Sequence, residues 1–132
     1  MNQRVRPKGR LPRSAIAIHG ITRKMLKSCP QWPDVEAEAR RLLVNRPVIT
    51  YNAAFEVRLL RQTAERWQCD PIVIDSHCAM LAYAEHRGIR DSRRPGFKWH
   101  KLVAACAHEG IPFDNEHAAL SDAQRARDLF YT

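Results

Sequence analysis

A chain of 132 residues, 45% hydrophobic and 27% charged, is sized for one globular domain with a core of its own. No stretch approaches the roughly 20 apolar residues of a membrane-spanning helix. A net charge of +8, with a pI near 9.9, favours a polyanionic partner, nucleic acid first among them. Met1 leads into a polar, arginine-rich segment without an apolar run, so no secretory signal is visible. Cys29, Cys69, Cys78 and Cys106 form no C-x-x-C pair and no zinc-ligand spacing, which reads as free thiols in a reducing cytoplasm.

Taken in order, residues 1–13 form a basic arm carrying Arg4, Arg6, Lys8, Arg10 and Arg13, with Pro7 and Pro12. It reads as extended chain, or as a remnant of a strand around Arg4 to Arg6. A short apolar piece, 14–19, ends in His19-Gly20-Ile21-Thr22, and Pro30 and Pro33 bar a long helix after it. Pro33 suits the first turn of a helix with Asp34, Glu36 and Glu38 at its positive end. Val35, Ala39 and Leu42 make its apolar stripe, and Glu36–Arg40 is a favourable i,i+4 pair.

Residues 46–51 read as a buried strand, and Asn52 as the cap of a helix over 53–67 with the stripe Val57, Leu60, Ala64 and Trp67. Glu56 falls in that helix's first turn, beside the strand's C-terminal end, where ligands collect in α/β proteins. Taken alone it is an ordinary acid compensating the helix dipole. The apolar run 71–75 reads as a second strand, followed by a helix over 77–86 that Gly88 stops. A charged loop, 87–96, leads to a helix over 98–108 closed by Gly110. After a connector, 111–116, a last helix covers 118–131. Strands alternating with helices make the class α/β.

A second basic cluster runs through Arg87, Arg90, Arg93, Arg94, Lys98 and Lys101, with Phe97 and Trp99 interleaved as candidate base-stacking residues. The recurrence of Trp99, Leu102, Val103 and Cys106 at i, i+3, i+4 and i+7 instead assigns Trp99 to the core.

His117 and Asp122 are the chemically suggestive pair. Five residues along a helix turn about 500°, so the two side chains converge only if His117 sits in the incoming loop and Asp122 inside the first turns. Asp122 also has an apolar flank, Ala118, Ala126 and Leu129 at i−4, i+4 and i+7. A carboxylate there needs a partner such as a metal ion, or it is costly. The plainer reading is a helix-start aspartate favoured by the macrodipole.

Three segments, in order, resemble the DnaQ-like (DEDDh) family of 3′-to-5′ exonucleases, which have a ribonuclease H-like fold. They are Ala17 to Thr22 with Met25, Pro30 and Trp32 behind it; Tyr51-Asn52-Ala53-Ala54-Phe55-Glu56, where Asn-x-x-Phe-Asp is usual; and His117-x-x-x-x-Asp122-Ala123. The resemblance spans nearly the whole chain, as a single partial exonuclease domain over 1–132. It implies hydrolysis of nucleic acid, DNA ahead of RNA, by two Mg²⁺ or Mn²⁺ ions. Asp122 and Glu56 would be metal ligands, His117 the general base, and His19, Gly20, Ile21, Thr22, Asn52 and Phe55 substrate contacts. Glu56 departs from the family's aspartate by one methylene.

The family's first motif, Asp-x-Glu on its first strand, has no counterpart. The earliest acid in the chain is Asp34, and Asp34-x-Glu36 reads as a helix start. The expectation is therefore an N-terminally truncated ribonuclease H-like domain with a reduced sheet flanked by helices and little activity alone. Its open sheet edge invites a second copy or a complementing polypeptide. The alternative is a catalytically dead nucleic-acid-binding or assembly module.

Overall fold

The computed structural model describes residues 2–112 and 118–132, with six helices and two strands among them. In chain order these are α1 (Arg13–His19), α2 (Trp32–Leu43), β1 (Pro47–Thr50), α3 (Ala53–Trp67), β2 (Asp75–Cys78), α4 (Ala79–Arg87), α5 (Leu102–His108) and α6 (Ala119–Phe130). The class is mixed α/β, as the alternation predicts. None of the described helices is long and apolar enough to cross a membrane. The chain divides into two compact units, Met1–Pro47 with Val57–Asp75, and Val48–Glu56 with Ser76–Thr132.

In the first unit the basic arm is not a strand. The Arg6 N–H donates to Pro30 O at 2.8 Å, its guanidinium to Lys27 O at 3.0 Å, and the Lys8 ammonium to Arg66 O at 3.1 Å. Backbone and side-chain donors are thus satisfied one residue at a time, where a strand would need a ladder. Residues 14–19, with Arg13, form α1, which Gly20 ends at φ 67. Pro33 occupies the first turn of α2, as expected, and a reciprocal cap ties Gln31 to Asp34, with the Gln31 N–H 2.7 Å from Asp34 Oδ2. Val35 is buried, and Arg40 makes the expected pair with Glu36 at 2.6 Å.

Arg40 also donates to Asp70 O at 3.0 Å, just before the apolar run that sequence reads as strand. That reading is displaced. Ile72 is buried but Val73 is 77% exposed, and pairing starts only at Asp75. Pro71 has no N–H to give a ladder, and the polar run Asp75-Ser76-His77-Cys78 makes the strand instead, alternating exposed and half-buried.

In the second unit the sheet has two strands, β1 beside β2. Tyr51, just past β1, accepts at its carbonyl from the Met80 N–H at 2.9 Å and the Cys78 thiol at 3.4 Å. The C-terminal ends therefore lie together, and the strands are parallel. Helices α4 and α5 both pack on α6. Tyr83, Ala105 and Leu129 form the buried centre, with Tyr51, Leu102 and Ile111 against it. Two phenols anchor this core through their hydroxyls: Tyr51 donates to His100 O and Tyr83 to Glu109, each at 2.7 Å. Burial, and then the acceptor Glu109, push the Tyr83 phenol up to about 12.

Candidate active site

Asp122 stands in the first turn of α6, its N–H donating to Ala118 O at 2.9 Å. Ala126 and Leu129, on its flank, are each only 5% exposed. Asp122 Oδ1 is closed off from solvent and has no hydrogen-bond partner among the described residues. The apolar flank that makes this aspartate conspicuous in the sequence is therefore real. It leaves a carboxylate oxygen without an acceptor's usual donor, a costly state that a cation would relieve. Close by on α5, burial raises the pKa of the Cys106 thiol; Arg125 lowers it, while Asp128 and Asp122 raise it further.

Glu56 belongs to the same unit as Asp122 and lies in the first turn of α3. The turn is set by Asn52, whose carbonyl accepts from the N–H of Phe55 at 3.0 Å and of Glu56 at 3.2 Å. The Asn52 side chain caps Phe55 N–H at 3.4 Å. Asn52, Phe55 and Glu56 thus share one turn directly after β1. Glu56 is half-buried, and burial raises its pKa above 4.5, outweighing the favourable helix start.

A carboxyl raised in the folded state favours folding below its unfolded value and loses that advantage as pH rises through the folded one. In metal-free buffer, Glu56→Gln is expected to melt with the wild type below pH 4.5 and above it at neutral pH. Thermal scans across that range check this, and coincident curves at neutral pH would refute the burial cost.

The segment from His19 to Thr22 belongs to the other unit. His19 Nδ1 accepts from the Ile21 N–H at 2.9 Å across the left-handed Gly20, and Thr22 Oγ1 accepts from Met25 N–H at 3.4 Å. With Nδ1 used as acceptor, a neutral His19 carries its proton on Nε2. His117, the candidate base, lies outside the described residues.

The donor chemistry of Asp122 and Glu56, two carboxylates, suits a hard divalent cation. Their number does not complete a centre. Among the described residues, no group of three or more His, Cys, Asp or Glu side chains is placed to hold a metal ion.

Periodicity misplaces one further residue. Trp99 is 46% exposed, not core, with the Arg94 guanidinium 3.6 Å from its ring centroid. Helix α5 starts only at Leu102, because Lys98 N–H donates to Ile89 O at 2.7 Å and holds the preceding residues in a hairpin-like loop. The dipeptide Pro95-Gly96, a turn signal, marks that loop in the sequence.

Comparison with known proteins gives the lineage. A sequence profile described as exonuclease, of the RNase T type, matches residues 1–130. The uncharacterized exonuclease CP81 of Escherichia phage 186 is 39% identical over 131 residues, which covers 94% of this chain and 67% of the phage protein. A PolC-type DNA polymerase III of Oceanobacillus iheyensis is 25% identical over 125 residues, covering 95% of this chain and 8% of the polymerase. Matched along all but its last two residues, the chain belongs to the DnaQ-like exonuclease family.

Proposed function

We propose that this chain is a ribonuclease H-like exonuclease domain that hydrolyses nucleic acid, DNA in preference to RNA, from 3′ ends. The observation that supports this most is Asp122 Oδ1, without a hydrogen-bond partner among the described residues and enclosed against an apolar flank as a cation ligand would be. Mg²⁺ or Mn²⁺ would supply Lewis-acid activation of a water and stabilisation of the leaving oxygen. Asp122 and Glu56 would hold the cation, and His117 would take the proton from the attacking water. The raised pKa of Glu56 in the absence of metal fits such a role, because a bound cation would restore its charged form. Asn52 and Phe55, on the same turn as Glu56, would line the site.

Among the described residues, Asp122 and Glu56 supply fewer carboxylates than a two-metal centre uses. We therefore expect slow hydrolysis from this chain alone, and faster hydrolysis where another copy or another polypeptide contributes carboxylates. The same shortage favours a second reading, a nucleic-acid-binding module without turnover.

Incubation of a 3′-labelled single strand with Mg²⁺ or Mn²⁺ separates the two. Slow shortening by the wild type, lost in Asp122→Ala, supports the exonuclease. Salt-sensitive binding without shortening supports the binding module. Neither shortening nor binding would end both readings.

A further inference from the structure

We propose that the loop of residues 88–101 is a docking surface for single-stranded polynucleotide, separate from the carboxylates on α3 and α6. It requires binding and not hydrolysis, so it stands whether or not the chain cleaves.

The loop has a defined shape. Arg90 and Phe97 form an antiparallel bridge, Asp91 N–H donates to Gly96 O at 3.1 Å, and Lys98 N–H to Ile89 O at 2.7 Å. Residues 87–101 carry six cations, from Arg87 to Lys101, and one carboxylate, Asp91. That carboxylate is spent inside the turn, accepting from the Arg93 N–H at 2.9 Å and from Arg94 Nε at 2.6 Å. Both hydrogen bonds lower the pKa of Asp91, the Arg93 backbone bond most, so it stays ionised and keeps the turn closed. The remaining charge faces outward: Arg90, Arg93 and Lys98 are exposed, and Arg94 is exposed beside its pair with Asp91.

The aromatics are placed to match. Arg94 lies 3.6 Å from the centroid of Trp99, and Arg90 lies 4.7 Å from that of Phe97. These stacks order two guanidinium groups beforehand, so less side-chain entropy is lost when a phosphate arrives. Trp99 remains 46% exposed beneath its arginine, which leaves indole surface for a base. Cations interleaved with an accessible π-face match alternating phosphates and bases along one strand. An acidic peptide would use the cations and leave the indole unmatched. In a duplex, stacking hides the base faces that the indole needs. Phosphate and base are common to DNA and RNA, and the test distinguishes them.

The full chain would be titrated into labelled oligo(dT) and oligo(U) of about 15 nucleotides, a length typical of single-strand sites, and anisotropy followed at several salt concentrations. The double variant Arg90→Ala/Arg93→Ala should bind on the order of tenfold more weakly or worse, with a salt slope smaller by about two. Trp99→Ala should lose roughly tenfold with little change in slope, and Trp99→Tyr should keep most of the affinity because it keeps a stacking face. If Trp99→Ala fails to fold, the arginine pair and Trp99→Tyr still decide the matter. Wild-type affinity and slope in the arginine pair would overturn the proposal. So would loss confined to an Arg4→Ala/Arg10→Ala variant of the basic arm. Binding of both oligonucleotides assigns the surface to the shared chemistry, and binding of one assigns it to DNA or RNA alone.

Discussion

Asp122→Ala is expected to raise the melting temperature of the metal-free protein while removing whatever cleavage it performs. An enclosed polar atom without a partner costs about 1–3 kcal/mol. The aspartate recovers about 0.3–1 kcal/mol of this from its place in the first turn of α6. Alanine removes the cost, and it is the best helix former, so the variant should gain on the order of 1 kcal/mol. Divalent cation should act in the opposite sense. Saturating Mg²⁺ or Mn²⁺ should stabilise the wild type by about 1–3 kcal/mol, and Asp122→Ala little. Loss of one electrostatic contributor at a reacting centre typically costs about a hundredfold or more in rate, so residual shortening should fall at least that far. Thermal scans with chelator and with metal read both effects. A variant less stable than wild type in chelator, with an undiminished metal response, would show that Asp122 is an ordinary helix-start residue.

Leu129→Ala should be the most destabilising simple substitution in the second unit. Leu129 is 5% exposed and closes the cluster with Tyr83 and the fully buried Ala105. Deleting a buried leucine side chain costs about 2–5 kcal/mol, through lost transfer energy and the cavity left behind. For a domain of this size, about 3 kcal/mol corresponds to roughly 10–15 °C in melting temperature. Because Ala126 and Leu129 also flank Asp122 on α6, the substitution should weaken metal-induced stabilisation along with the fold. A melting temperature within a few degrees of wild type would mean that α6 is not seated on α4 and α5 as described.

The sequence was most legible where one signal acts locally. Asn52 as a cap fixes the start of α3, and Pro33 with Asp34 fixes the start of α2. These depend on backbone geometry within a few residues of the signal. The misplacements arise where a distant hydrogen bond decides. The 71–75 run looks like a buried strand, yet among the described residues the sheet has two strands and pairing begins at Asp75, so its β2 has polar alternation instead of an apolar run. The helical spacing that includes Trp99 is genuine, but the Lys98–Ile89 hydrogen bond removes Trp99 from α5. At the site, Asp122's enclosure follows from its i+4 and i+7 neighbours and was visible in the spacing. That Oδ1 has no partner among the described residues was not, because it depends on what the other described elements leave unfilled.

Tyr51 gives these observations a dynamic meaning. Its carbonyl holds the start of α4 through Met80, its hydroxyl reaches His100, and the next residue, Asn52, sets the turn that carries Glu56. The acid is thus aimed through the strand end that precedes it, and its geometry holds only while that junction stays closed. Amide hydrogen exchange at Met80 reports how often the junction opens. A slow-exchanging Met80 would mark the Glu56 turn as a fixed platform, and a fast one would mark it as a part that ligand binding must first set in place.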